Sequence, residues 1–328
     1  MLAYLLRRVL IAVLTLWAIS ILTFLIIQLP PGDYVTSYIA QLQATGGAVS
    51  SQEAENLRIQ YGLDQPIWVQ YFKWLGLAMR GNFGMAMEWQ RPVVDVIGER
   101  LLLTMVLSLA AVFFTWLLAF PISIYSAVRQ YSFGDYLFTL LAFIGLAVPN
   151  FLVALVLMYF GFSLFNTNIG GLFSPAYADA PWSAARVWDL CKHLPLPALI
   201  LALGGTAQVV RIMRANVLDE LRKPYVVTAR AKGLPEWRVI LNHPVRVALN
   251  PFISTIGYLL PYIVSGSVII SLVLSLPTVG PLLLKALLAQ DMFLAGTIVL
   301  MLGTMTVVGT FISDLLLMWI DPRVRAEG

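Results

Sequence analysis

Long apolar runs alternate with shorter polar stretches along this chain, and the runs set its expected architecture. They fall at about 9–29, 101–128, 136–165, 194–212, 251–274 and 293–320. An α-helix needs about 20 predominantly apolar residues to cross the hydrocarbon core of a bilayer, and Val9 to Leu29 and Tyr136 to Phe165 carry no charged side chain. Among the six, only the last clearly contains an acid, Asp314. The period-two alternation of a membrane barrel is absent. The expected fold is an all-α membrane protein, a bundle of six transmembrane helices forming a single domain over residues 1–328. The first run is longer than a secretory h-region and lacks a small-residue cleavage site, so it reads as an uncleaved first helix.

Composition supports the same class: 59% of residues are hydrophobic and only 12% charged, far more apolar than one soluble core requires. Charge adds an orientation. If both termini are cytoplasmic, the inner side holds 13 of the 21 basic residues, among them Arg7, Arg8, Arg129, Arg211, Arg214, Arg222, Lys223, Arg230, Lys232, Arg238 and Arg246. Most of the remainder lie in the long first loop, where charge is a poor orientation signal. The net charge of +4 follows from this bias rather than from a nucleic-acid surface, and no nucleic acid is expected as a partner. Cys191 is the single cysteine, and His193 and His243 stand far apart, so neither a disulfide, a metal site nor a catalytic dyad is expected.

Two loops are large enough to carry function. The extracytoplasmic one, 30–100, holds a helix start at Ser50-Ser51-Gln52-Glu53, the aromatic cluster Trp68, Tyr71, Phe72 and Trp74, and a turn at Gly81-Asn82-Phe83-Gly84. Its aromatics suit either an extracytoplasmic partner or the lipid headgroup layer. The cytoplasmic one, 213–250, predicts two short helices. Pro224 ends the first near Lys223 and is tolerated at the start of the next. That second helix, from about Tyr225 to Lys232, is stopped by Gly233 with Pro235 close behind. Ala229 and Ala231 are small enough to let it approach a partner closely. A short helix between a breaker and a glycine suits docking into a groove on a separate motor subunit. An amphipathic helix resting on the anionic inner leaflet fits the pattern equally well.

The chain has no G-x-x-x-x-G-K-[ST] and so no phosphate cradle of that kind; it is expected not to be an enzyme. Scarcity of intramembrane Asp, Glu and His argues against a secondary transporter. Pro121 and Pro149 are expected to kink the second and third helices. Asn150, beside the second kink, and Gln208, in the fourth helix, are candidates for a translocation path, although the reading preferred for each is that it satisfies freed backbone or bonds a neighbouring helix. The segment from Leu274 to Met292 is too short to span, and a re-entrant, gate-like element is one reading of it. Ser265-Gly266-Ser267 and Gly303 are expected to allow close helix packing.

The stretch Tyr225-Val-Val-Thr-Ala-Arg-Ala-Lys-Gly-Leu resembles the EAA loop of permease subunits of ABC importers, and is most similar to the dipeptide and oligopeptide branch. Tyr4-Leu-Leu-Arg-Arg, Pro31-Gly32-Asp33, Tyr61-Gly-Leu-Asp-Gln-Pro66, Gly81-Asn-Phe-Gly84, Val148-Pro-Asn-Phe151 and Asp321-Pro-Arg-Val-Arg325 extend the resemblance over the whole chain. In that family the loop forms a coupling helix seated in a cleft of the ATPase. Here Thr228, Ala229 and Gly233 occupy the positions of Ala, Ala and Gly in the general motif, and Val227 replaces its Glu. The resemblance implies that Tyr225, Thr228, Ala229, Arg230, Ala231, Lys232, Gly233, Leu234 and Glu236 form the contact with the ATPase. It also implies a bacterial inner membrane location, alternating access, and short peptides as the substrate class, with oligosaccharides or nickel as alternatives. The partners it implies are a second related permease, two ATPase subunits or domains that bind ATP and Mg, an extracytoplasmic substrate-binding protein and membrane lipid. A channel or scaffold subunit remains the reading from another class.

Overall fold

The computed structural model describes residues 2–28, 34–44, 51–165, 169–254 and 266–320. Among the described residues every regular element is helical apart from one hairpin of two-residue strands, β1 (Met85–Ala86) paired antiparallel with β2 (Arg91–Pro92). In order, the helices are α1 (Leu2–Gln28), α2 (Tyr34–Ala44), α3 (Ser51–Tyr61), α4 (Ile67–Ala78), α5 (Val93–Val128), α6 (Phe133–Ala147), α7 (Asn150–Phe165), α8 (Ala184–His193), α9 (Pro195–Leu221), α10 (Pro224–Ala231), α11 (Glu236–Asn242) and α12 (Pro244–Ser254). Residues 266–273 form α13, followed by α14 (Val279–Leu288) and α15 (Met292–Ile320).

Among the described residues four helices, α1, α5, α9 and α15, are long and apolar enough to span a bilayer, and α6 with α7 make a fifth span if the bent pair crosses as one. The run expected at 136–165 is thus not one helix but two, bent by 102° at Val148-Pro149. Pro149 cannot donate a backbone bond and biases Val148 to the extended conformation it adopts, with ψ 123°. Pro121, in contrast, sits inside an unbroken α5. The expected helix at 251–274 falls largely on residues outside those described; its flanks are α12 and α13. Several helices outrun their apolar cores: α9 continues to Leu221 and α5 begins at Val93, with Asp95 in its first turn.

The chain divides into two compact units. The first holds 104–277. Here the amino end of α6 lies so close to α5 that a Cβ on Gly134 would fall 2.5 Å from the Tyr125 hydroxyl. α9 is the central element, burying Val209, Val210, Met213 and Val217 against Ala119 and Ala127 of α5, Ile240 of α11, and Val245 and Ala248 of α12. The connection before α8 is pinned by Asp189, which accepts from the Ser174 backbone N–H at 2.7 Å and its hydroxyl at 2.7 Å, while Arg186 lies over the rings of Phe173 and Trp182.

The second unit comprises 5–103 and 278–307. Phe24 of α1 meets Tyr71 edge-on at 5.4 Å and Trp74 at 6.3 Å, and Ser20 shares a 2.8 Å hydrogen bond with the Tyr71 hydroxyl. The aromatic cluster therefore splits by helical face: Tyr71 and Trp74 are core, whereas Trp68 and Phe72 are exposed. α14 belongs to the same core through Val279, Leu282 and Ala286. Asp291 fixes the α14–α15 corner, capping α15 by accepting from Leu294 N–H at 3.0 Å while receiving Met87 N–H of the hairpin at 2.6 Å. Gly303 packs where expected: a Cβ there would meet Ile19 at 3.2 Å. Gly266 has open space around it, and Ser267 is buried.

Candidate functional site

The 213–250 loop is built from two faces of one short helix. On α10, Val226 and Ala229 are three residues apart, hence neighbours on one side, and both are buried against Val239 of α11. Each valine contributes about 1.5–3 kcal/mol by leaving water. Val227, Thr228 and Ala231 lie on the opposite, exposed side; Tyr225 and Arg230, which flank the buried face, and Lys232 and Leu234, beyond the helix, are exposed as well. Pro224 begins α10 after an extended Lys223, and Val226 N–H closes the turn on Lys223 O at 3.0 Å. Gly233 ends it with φ +75°, a conformation that costs other residues a backbone penalty, and its N–H returns to Arg230 O at 2.9 Å.

Polar contacts hold the corners. The Tyr225 hydroxyl donates to Glu220 Oε2 across the α9–α10 joint, and partial desolvation of the hydroxyl on an otherwise exposed ring, together with that carboxylate, pushes it up to about 12, so it stays a donor throughout the physiological range. Across the α10–α11 joint, Arg230 reaches Glu236 through Nη2 at 2.6 Å and Nε at 3.1 Å. Hydrogen bonding to Arg230 holds the Glu236 carboxyl below its ordinary value. Both side chains are about half exposed, so the pair contributes only about 0.2–1 kcal/mol; it sets direction more than stability. Thr228 turns its hydroxyl back onto Pro224 O at 3.0 Å.

The two path candidates are placed differently. Asn150 opens α7 at the bend and lines a cavity of about 220 Å³ with Gly145, Pro149, Gly204, Gly266 and Ile269. Gln208 lies one turn beyond Gly204 on α9 and is half-buried, but does not line that cavity. Within the described residues no group of three or more His, Cys, Asp or Glu is arranged to hold a metal.

Residues 119–326 match the family described as binding-protein-dependent transport system inner membrane component, and residues 1–110 match the N-terminal membrane component of the same systems. The chain belongs to this family. It is an inner-membrane permease component rather than an enzyme. A Brucella ovis protein named as a peptide permease is 36% identical over 327 residues, 99% of either chain. The oligopeptide transport system permease protein AppB of Bacillus subtilis is 34% identical over 326 residues, covering 99% of this chain and 100% of AppB. The dipeptide transport system permease protein DppB of Lactococcus lactis is 30% identical over 327 residues, covering 99% and 100%.

In this permease component the expected contact residues do not all face outward. Ala229 is buried and supplies the close approach of α10 to α11, not to an outside surface; Ala231 is the small residue left exposed. Sequence reasoning missed the anchors Val226 and Val239 and the staple Glu220. The apolar i, i+3 spacing of Val226 and Ala229 was available as a signal, whereas Glu220 needed the folded corner to bring it to Tyr225.

Proposed function

We propose that this permease forms half of a translocation path for short peptides and takes its energy through α10 from separate ATPase subunits that bind ATP and Mg. Six spans with both termini cytoplasmic would put the 213–250 loop on the ATPase side and the 34–92 segment toward a substrate-binding protein. A second, related permease supplies the other half of the path. The observation that carries this reading is the construction of α10: a helix anchored by one apolar face, stapled at both joints and presenting its opposite face. A rigid element of that kind passes on rigid-body movement; a free loop would absorb it. ATP then shifts the permease only in so far as it favours one geometry of this contact. Peptides are preferred to oligosaccharides or nickel because the relatives named above are peptide, oligopeptide and dipeptide permeases. Asn150 in its glycine-lined cavity is a path residue, with Gln208 a further candidate on α9.

The test is crosslinking from exposed α10 positions. Cysteine at Ala231 or Leu234 in a Cys191→Ser background should bond to a co-expressed ATPase subunit in a nucleotide-dependent way. Failure at both positions, with the protein folded and the ATPase present, would leave α10 as a helix resting on lipid headgroups.

A further inference from the structure

A bidentate ion pair joins α9, the helix that runs into α10, to α6, the helix that ends at the Pro149 bend. Asp135 is in the first turn of α6 and is buried. Its two oxygens accept from Arg214 of α9, Oδ1 from Nε at 3.0 Å and Oδ2 from Nη2 at 2.8 Å, and Oδ2 also receives the Tyr131 backbone N–H at 3.0 Å. The start of α6 is further fixed by Ser132, whose hydroxyl oxygen accepts the Asp135 N–H at 3.2 Å. Arg214 is part-buried, on a turn of α9 whose Met213 and Val217 are fully buried.

The position of this pair is what gives it a role. From Arg214 to the end of α9 is two helical turns, about 10 Å at 1.5 Å per residue, and the Tyr225–Glu220 bond then locks α10 onto that end. From Asp135 to the end of α6 is about 18 Å on the same rise, and there the chain bends by 102° into Asn150 and its cavity. Between the pair and the bend, α6 packs on α9 through apolar side chains, with Gly145 close to Leu203 and Ala207, and Leu118 and Ile122 of α5, Phe138 and Leu141 of α6, and Leu203 and Val210 of α9 line a cavity of about 390 Å³ beside that contact. Apolar packing of this kind resists separation but is non-directional, while a planar guanidinium forked onto a buried carboxylate fixes both distance and angle.

We infer that Asp135 and Arg214 are the positioning pair that makes α6 follow α9, so that movement imposed on α10 by the ATPase reaches the Asn150 bend. This rests on the docking of α10 proposed above. Neither residue touches ATP or substrate; both act on the geometry between them. In effect α6 is a lever held at its Asp135 end, and the bend is its moving tip.

The experiment uses the permease assembled with its partner permease and ATPase subunits, in the Cys191→Ser background, with two readouts. Leu234→Cys reports docking by crosslinking to the ATPase. Spin labels at Leu146→Cys and Val187→Cys report the distance from the bend to α8, with and without ATP plus vanadate. In the otherwise unaltered permease, nucleotide should change both the crosslink and the distance. With Asp135→Asn or Arg214→Gln, the crosslink and the rate of ATP hydrolysis should stay within about twofold while the distance shift is lost. Arg214→Lys, which keeps charge but not the fork, should give a reduced shift, and the exchange of Asp135→Arg with Arg214→Asp should restore part of it. A distance that ignores nucleotide before any change to the pair, or a full shift in both neutral variants, overturns the inference while leaving docking intact. Loss of crosslink and shift together in all single variants, Arg214→Lys included, makes the pair a structural rivet and also overturns it. Absence of a crosslink from both Leu234→Cys and Ala231→Cys, without any change to the pair, overturns the docking itself.

Discussion

The 213–250 loop and the 34–92 segment are both polar interruptions between long apolar helices, yet they are held by different means. Among the described residues the shorter loop has one cluster of its own, Val226, Ala229 and Val239, and borrows further support from the bundle through Ile240, Val245 and Ala248. The longer segment builds a true core with α1, α14 and α15 around Phe24, Tyr71, Trp74 and Met87. A loop of few residues cannot bury enough apolar area to order itself and must dock; a loop of several helices can. The consequence is a difference in what each leaves exposed: a narrow face of mixed side chains on α10, and single aromatics such as Trp68 and Phe72 on α4.

That contrast predicts unequal responses to truncation. Trp74→Ala should cost about 3–5 kcal/mol, because it empties the centre of the larger core, whereas Val239→Ala should cost about 1–3 kcal/mol. Thermal unfolding of the purified permease in detergent checks both, and equal losses would mean that the two loops share one cooperative core. The smaller change should nonetheless loosen α10 more, seen as faster hydrogen exchange over 224–234.

Acid sharpens the comparison because the two carboxylates move in opposite directions. Burial pushes Asp291 up to about 6, against its backbone donors, from an ordinary value of 3.8. The folded protein therefore holds that proton where the unfolded chain has released it, and Asp291 makes stability rise as pH falls from about 6 toward 4, by about 3 kcal/mol at most. Asp291→Asn should flatten this part of the pH profile. Glu236 is lowered by its bond to Arg230, so its contribution is present above the ordinary carboxylate value and is lost as pH falls through the folded one. Glu236→Gln should change stability by less than about 1 kcal/mol at pH 7, leaving the larger response with Asp291.

A pair of glycines gives the finest distinction. Gly84 and Gly233 have nearly the same backbone, φ +83° and +75°. A Cβ on Gly84 would lie 2.8 Å from the Phe293 ring, while Gly233 has nothing within 4 Å. Gly84→Ala should therefore cost about 2–4 kcal/mol, combining strain with overpacking, and Gly233→Ala only about 1 kcal/mol of strain. If the two alanine variants melt alike, Phe293 yields freely and the hairpin is less firmly packed than its contacts imply.

Membrane class, the long helices and the stop at Gly233 were legible because each depends on local chemistry. Apolar length marks a span, and a proline followed by a glycine nine residues later bounds a short helix wherever it sits. Pro149 was legible as a kink but not as a 102° break, since the angle depends on what α6 and α7 pack against. The aromatic cluster was misleading as a unit: four rings within seven residues occupy both faces of α4, and only Tyr71 and Trp74 point to Phe24.

By itself, then, the sequence determined that this is a helical membrane protein, and it marked the helix whose ends are set by Pro224 and Gly233. Tertiary structure decided which face of that helix is spent on anchoring, which carboxylates are buried, and that Asp135 meets Arg214 across 79 residues of chain. The physical reason is range: hydropathy and backbone propensity act over one or two turns, whereas an ion pair between helices exists only after packing has brought their ends together.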